Sequence, residues 1–80
     1  MTNVVKYDKV FTELFEIGAD KLNEQLAIRT FSKWDSISHL SLITKIEDAF
    51  DIMLDAEDIL EFRSYAIGKD ILRKYGIVVV

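Results

Sequence analysis

A chain of eighty residues with no proline and only three glycines, Gly18, Gly68 and Gly76, has few places at which to turn sharply. A small β fold needs a tight turn every few residues, and glycine and proline supply the backbone angles such turns require. Their scarcity favours long helices with few connections. Length alone suits one domain spanning residues 1–80. A core this small is marginal, because a short chain removes a modest share of its surface from water. A composition that is 50% apolar compensates for it. With no cysteine, a disulfide framework, a thiolate metal site and a cysteine nucleophile are excluded.

The distribution of charge says more than the net value of −4. Residues 46–62 hold seven acids, Glu47, Asp48, Asp51, Asp55, Glu57, Asp58 and Glu61, and no Lys or Arg. Such a block repels nucleic acid and speeds encounter with a basic protein surface. Met1–Lys6 lacks the layout of a signal peptide, and no apolar run is long enough to span a bilayer. The tail from Ile77 to Val80 is apolar but far too short. A cytoplasmic location and a monomer are the expectations.

Periodicity places the helices. Val4, Tyr7, Val10, Phe11, Leu14, Phe15 and Ile17 recur at helical spacing, which predicts a helix over 3–17 stopped by Gly18. Residues 19–34 show no sustained period. They form a long first loop pinned by its apolar residues or containing a turn near Asp20–Leu26, with Trp34 as an anchor against the bundle. A second helix starts at Asp35-Ser36, where the Asp35 carboxylate caps the free amides, and fades near Asp51-Ile52. Leu42, Ile46, Ala49 and Phe50 form its expected core stripe, with Ile37, Leu40 and Ile43 toward a second side. Asp55 caps a short helix over 56–61 with Ile59, Leu60 and Phe62 as its apolar contacts. Ser64 caps a last helix that packs Ala66, Ile67, Ile71, Leu72 and Tyr75 and stops at Gly76. The fold class is all-α: three longer helices and one short helix before the last.

The segment from Trp34 to Ile52 resembles the acyl carrier protein motif. In that family an Asp-Ser-Leu, Asp-Ser-Met or Asp-Ser-Ile triplet opens a helix that closes on a Glu-rich stretch containing Phe. Asp35-Ser36-Ile37 matches the triplet, and Glu47-Asp48-Ala49-Phe50-Asp51-Ile52 matches the helix end. The acidic short helix and the Phe62-Arg63-Ser64-Tyr65 entry to the last helix extend the resemblance over essentially the whole chain. It implies a four-helix bundle of acyl-carrier type and a non-catalytic role. Ser36 would carry a covalent 4'-phosphopantetheine, installed from coenzyme A by a phosphopantetheinyl transferase, and the arm would present an acyl or aminoacyl group as a thioester. Asp35 belongs to the motif as well as to the cap. The expected partner surface is Ile37, His39, Leu40, Glu47, Asp48 and Glu57, facing an acyl- or aminoacyl-activating ligase and downstream transferases. His39 is expected as a surface contact beside the arm, or simply solvated. Trp34 stands where many members have a small residue, and Ser38, His39, Ser41 and Lys45 replace acids or apolar residues. The Trp-Asp-Ser start resembles D-alanyl carriers and free-standing carriers of specialised pathways more than fatty-acid carriers, and the helix-two replacements argue against recognition by standard fatty-acid synthesis enzymes.

Three other readings compete. Asp35, Ser36 and His39 lie within about one helical turn, but a hydrolytic set also needs an oxyanion hole and a substrate pocket that nothing here supplies. A calcium loop begun at Asp51 fails, because Met53, Ala56 and Phe62 fall at its third, sixth and twelfth positions. An unmodified acidic helical module that binds a protein partner is the alternative function.

Overall fold

A computed structural model describes residues 2–79; Met1 and Val80, the last residue of the apolar tail, lie outside the described residues. Four α-helices form: α1 (Asn3–Phe15), α2 (Ser36–Phe50), α3 (Ala56–Glu61) and α4 (Tyr65–Lys74). The fold is all-α, with no strand among the described residues. Its radius of gyration is 11.4 Å, close to the roughly 12 Å of a compact chain of this length.

Helix α1 starts where the Thr2 hydroxyl accepts from the Val5 amide, and it buries Tyr7, Val10, Phe11 and Phe15 at steps of three and four. Its stop is not Gly18. Glu16 takes the left-handed conformation, with φ of 55°, and the Ile17 amide returns to the Thr12 carbonyl. Closing the helix there lets Ile17 pack against the core, and that contact compensates for a left-handed residue that is not glycine. Asp51 ends α2 in the same way, with φ of 53°.

The core is rich in aromatic rings. Phe11 lies at its centre, with Trp34 at 5.7 Å edge-on, Tyr65 at 5.4 Å edge-on and Tyr7 at 5.0 Å between ring centroids. Buried phenols need acceptors. The Tyr7 hydroxyl donates to the Tyr65 carbonyl at 2.6 Å, and the Tyr65 hydroxyl donates to the Asp8 carboxylate. Trp34 is the expected anchor, 1% exposed.

Several core assignments shift by one helical position. In α2, Leu42, Ile43 and Ile46 are buried, so Ile43 belongs to the core rather than to a second side. Ala49 and Phe50 are only half-buried, and the Lys6 ammonium lies 5.9 Å from the Phe50 ring centroid. Leu60 of α3 faces solvent, while Ile59 is half-buried and Phe62 fully buried. In α4 the buried face is Tyr65, Gly68, Ile71 and Leu72. Ile67 is exposed and Ala66 and Tyr75 half-buried, because α4 is rotated to bring its glycine against two aromatic rings. Gly76 follows it with φ of 82°, as the sequence led one to expect.

The long connection is pinned by backbone as well as side chains. It holds one short 3-10 turn, Ala19–Lys21. Beyond it, the Ile28 amide donates to the Arg63 carbonyl and the Tyr65 amide to the Leu26 carbonyl, both at 2.9 Å. These bonds tie the loop to the α3–α4 junction and leave Leu26 buried.

Gly68 makes one prediction. Alanine normally stabilises a helix interior relative to glycine, by roughly 0.5–1 kcal/mol. Here the added methyl would overlap the Tyr7 hydroxyl and the Phe62 ring, both part of the fully buried core. Gly68→Ala should therefore reverse the usual sign and cost about 1–3 kcal/mol as an overpacked site. Urea unfolding at neutral pH measures it; a variant as stable as the parent would mean that the helix–aromatic contact is looser than described.

Helix α3 is too short to persist alone. Asp55 occupies its N-cap position but makes no side-chain capping bond; its amide instead donates to the Tyr75 hydroxyl at 2.9 Å. Asp58, a buried acid, binds the Lys74 ammonium and the Tyr75 hydroxyl at 2.5 Å each. Those bonds, Lys74 first, hold the Asp58 carboxyl below the usual carboxylate range. A depressed value means that this stabilisation is present above the unfolded carboxylate range, about pH 4, and is lost as pH falls through the folded value. Asp58→Asn should lower the melting temperature at pH 7, and the gap from the parent should close in acid. A gap independent of pH would show that the clasp is not ionic.

Candidate functional site

The start of α2 is built by two residues on either side of Ser36. The Asp35 carboxylate accepts from the Ser38 amide at 2.9 Å, and the Ser38 hydroxyl accepts from the Asp35 amide at 2.8 Å, a reciprocal capping box. The Ser38 oxygen also lies 2.7 Å from the Lys33 carbonyl, to which it can donate. The Ser38 amide, and then its hydroxyl, hold the Asp35 carboxyl below the ordinary range. Asp35 is thus a charged cap at neutral pH, favourably placed at the positive end of the helix.

This arrangement frees Ser36. A serine beside a helix start is most often a cap, but Asp35 and Ser38 already do that work. Ser36 is the first residue of a fifteen-residue helix, and it is exposed. Ile37 and Leu40 beside it are 80% and 64% exposed. Two large apolar side chains thus lie in water next to an exposed serine. Met53, just after α2, and Leu60 of α3 are exposed as well, at 84% and 69%. Leu60 was expected as an apolar contact of α3, and a six-residue helix is too short for periodicity to define its buried face.

The acids expected at this surface divide. Asp48 is exposed and lines a shallow groove with Leu40, Ser41, Thr44 and Lys45. Lys45 thus sits in the same groove as one of the expected acids. Glu57 is exposed in the first turn of α3. Glu47 is half-buried, and its carboxylate accepts from the Leu54 amide at 2.9 Å. It closes the turn after α2, so part of its charge has internal work.

His39 needs the largest correction. Its ring is half-buried and bonded within the domain rather than solvated. The Trp34 indole N–H donates to Nδ1 at 3.0 Å, and Nε2 lies 2.7 Å from the Ile59 carbonyl. The two rings lie side by side, their planes inclined by 24° and their centroids 6.2 Å apart. Both ring nitrogens are thus engaged away from Ser36. The cause is that α2 points its core face, shared by His39, Leu42, Ile43 and Ile46, toward α1 and α3. No rule of sequence spacing pairs a tryptophan before a helix with a histidine inside it.

No helix among the described residues is long and apolar enough to cross a membrane. A scan against models of known protein families, a search of curated proteins and a search of solved structures each return no match to this chain.

Proposed function

We propose that this chain is a carrier domain of acyl-carrier type, which holds 4'-phosphopantetheine on the Ser36 hydroxyl and presents its cargo to partner enzymes. The observation that carries the reading is the exposed Ser36 at the first position of α2, relieved of capping by Asp35 and Ser38. The residues present fit such a group. Ser36 supplies an accessible oxygen for a phosphodiester, and the amide end of α2 favours the resulting negative charge. When bound, the group supplies a long flexible chain ending in a thiol, on which an acyl or aminoacyl unit rides as a thioester. The chain itself has no cysteine, so thioester chemistry would have to come from the arm.

The protein's own residues supply presentation. Asp35 and Ser38 fix the direction of the first turn, and with it the position of Ser36 Oγ. Ile37 and Leu40 offer an apolar contact beside the attachment point. Asp48, further along α2 in the groove with Leu40, and Glu57 on α3 add surface charge, which steers encounter with a basic partner and is screened by salt. Lys45 would repel a docking patch built for a uniformly acidic helix, which favours a dedicated ligase and transferases over shared fatty-acid enzymes. The domain would act as a monomer.

The test is incubation with coenzyme A, magnesium and a broad-specificity phosphopantetheinyl transferase, followed by intact mass and peptide mapping. One group per chain, on the Ser36 peptide, is expected. An unmodified chain would favour the other reading, a bare interaction module that uses the same exposed apolar residues.

A further inference from the structure

The chain contains one tryptophan and one histidine, and the structure bonds them to each other. An indole N–H can only donate and a carbonyl oxygen can only accept. Trp34 at Nδ1 and the Ile59 carbonyl at Nε2 therefore specify one form of the His39 ring: neutral, with its proton on Nε2. Neither partner has an easy substitute. Trp34 is 1% exposed, so water does not readily replace the imidazole as acceptor. The Ile59 carbonyl lies in the last turn of α3, and the Arg63 amide that a longer helix would send to it bonds the Glu61 carbonyl at 2.8 Å instead.

We propose that His39 is a proton-sensitive strut at the root of α2: it joins Trp34 to α3 when neutral and releases Trp34 when it takes up a proton. The added proton must go onto Nδ1, which turns an acceptor into a donor facing a donor. Nε2 still donates to Ile59, and a positive ring near the C-terminal carbonyls of α3 gains a little from the helix dipole. A buried indole N–H stripped of its acceptor loses more, so the junction yields on the Trp34 side.

The neighbouring charges do not reverse this. On α2, Asp35 lies one turn earlier and is bonded to Ser38. On α3, Asp58 adjoins Ile59 and is bonded to Lys74 and Tyr75, while Glu57 and Glu61 are exposed. Helix α1 brings the rings of Phe11 and Phe15 against Trp34. Phe62 meets the His39 ring edge-on, and the Tyr7 hydroxyl behind it donates its hydrogen bond to the Tyr65 carbonyl. Because Trp34 immediately precedes Asp35 and Ser36, uptake of one proton loosens the anchor of the first turn of α2. That holds whether or not Ser36 carries a group.

The full chain supplies its own probes, a single indole and a single imidazole. At pH 8, nitrogen-15 NMR should find His39 with its proton on Nε2, and the Trp34 indole N–H slow to exchange. Lowering the pH from about 8 to 5, where histidines ordinarily titrate, should change the indole resonance and Trp34 fluorescence in step with the ring, as one proton. His39→Gln keeps a donor for Ile59 and cannot take up the proton, so its fluorescence should stay flat over the same range. A proton on Nδ1 at pH 8, Trp34 signals indifferent to the titration of His39, or the same response in His39→Gln would each overturn the strut. If the variant fails to fold, the tautomer and the coupled titration of the unaltered chain decide.

Discussion

Phe11→Ala should cost about 3–5 kcal/mol, enough to leave much of the chain unfolded at physiological temperature. Phe11 is fully buried, and its ring meets those of Tyr7, Phe15, Trp34 and Tyr65, drawn from α1, the long connection and α4. Removing it deletes the transfer free energy of a whole ring and leaves a cavity between elements too short to collapse independently. A small domain holds about 5–15 kcal/mol in total, and this one, at the lower limit of size, belongs near the bottom of that range. Phe50→Ala is the control. Phe50 has the same chemistry but sits half-buried at the end of α2, so its loss should be clearly smaller. Thermal and urea unfolding of the two variants checks both values. Equal losses would mean that the centre of the core lies closer to the end of α2.

Ser36→Ala should abolish addition of phosphopantetheine while leaving the domain folded. The separation of roles at the start of α2 makes this a sharp expectation. Asp35 and Ser38 form the cap between them, and alanine at the first helical position disturbs neither bond. Ser38→Ala should do the reverse. It leaves the Asp35 amide without its acceptor and should cost about 1 kcal/mol, in the range of lost caps, yet the chain should still accept one group. Intact mass after the transferase reaction, beside circular dichroism, separates the two outcomes. Modification persisting in Ser36→Ala would move the attachment point to another hydroxyl, with Ser38 and Ser41 the nearest on α2.

Most of the helical framework was legible because it depends on local chemistry. Asp35 and Ser64 cap the helices they were expected to cap, Gly76 follows the last one, and Trp34 is the anchor that a lone large ring in a polar stretch suggests. What was not legible depends on rotation and on contacts between distant segments. Periodicity finds a stripe but leaves its centre uncertain by a residue, which is why Ile43 and Gly68 replaced Phe50 and Ile67 in the core. The bonds of Leu26 and Ile28 to the α3–α4 junction join residues 39 and 35 positions apart, and no pattern along the chain marks them. At the candidate site the triplet Asp35-Ser36-Ile37 located the start of α2. It did not reveal that Ser38 completes the cap or that His39 faces inward. Nor did it show that Glu47 closes a turn, since the direction of a polar side chain is set by what packs around it.

The carrier reading is best tested on the protein as its own cell makes it. Intact mass spectrometry of the chain purified from its native host, with peptide mapping across α2, should find a population bearing one phosphopantetheinyl group on Ser36, part of it extended by a thioester-linked cargo that hydroxylamine removes. A chain found only at its unmodified mass, from cells whose other carriers are loaded, would contradict the carrier reading.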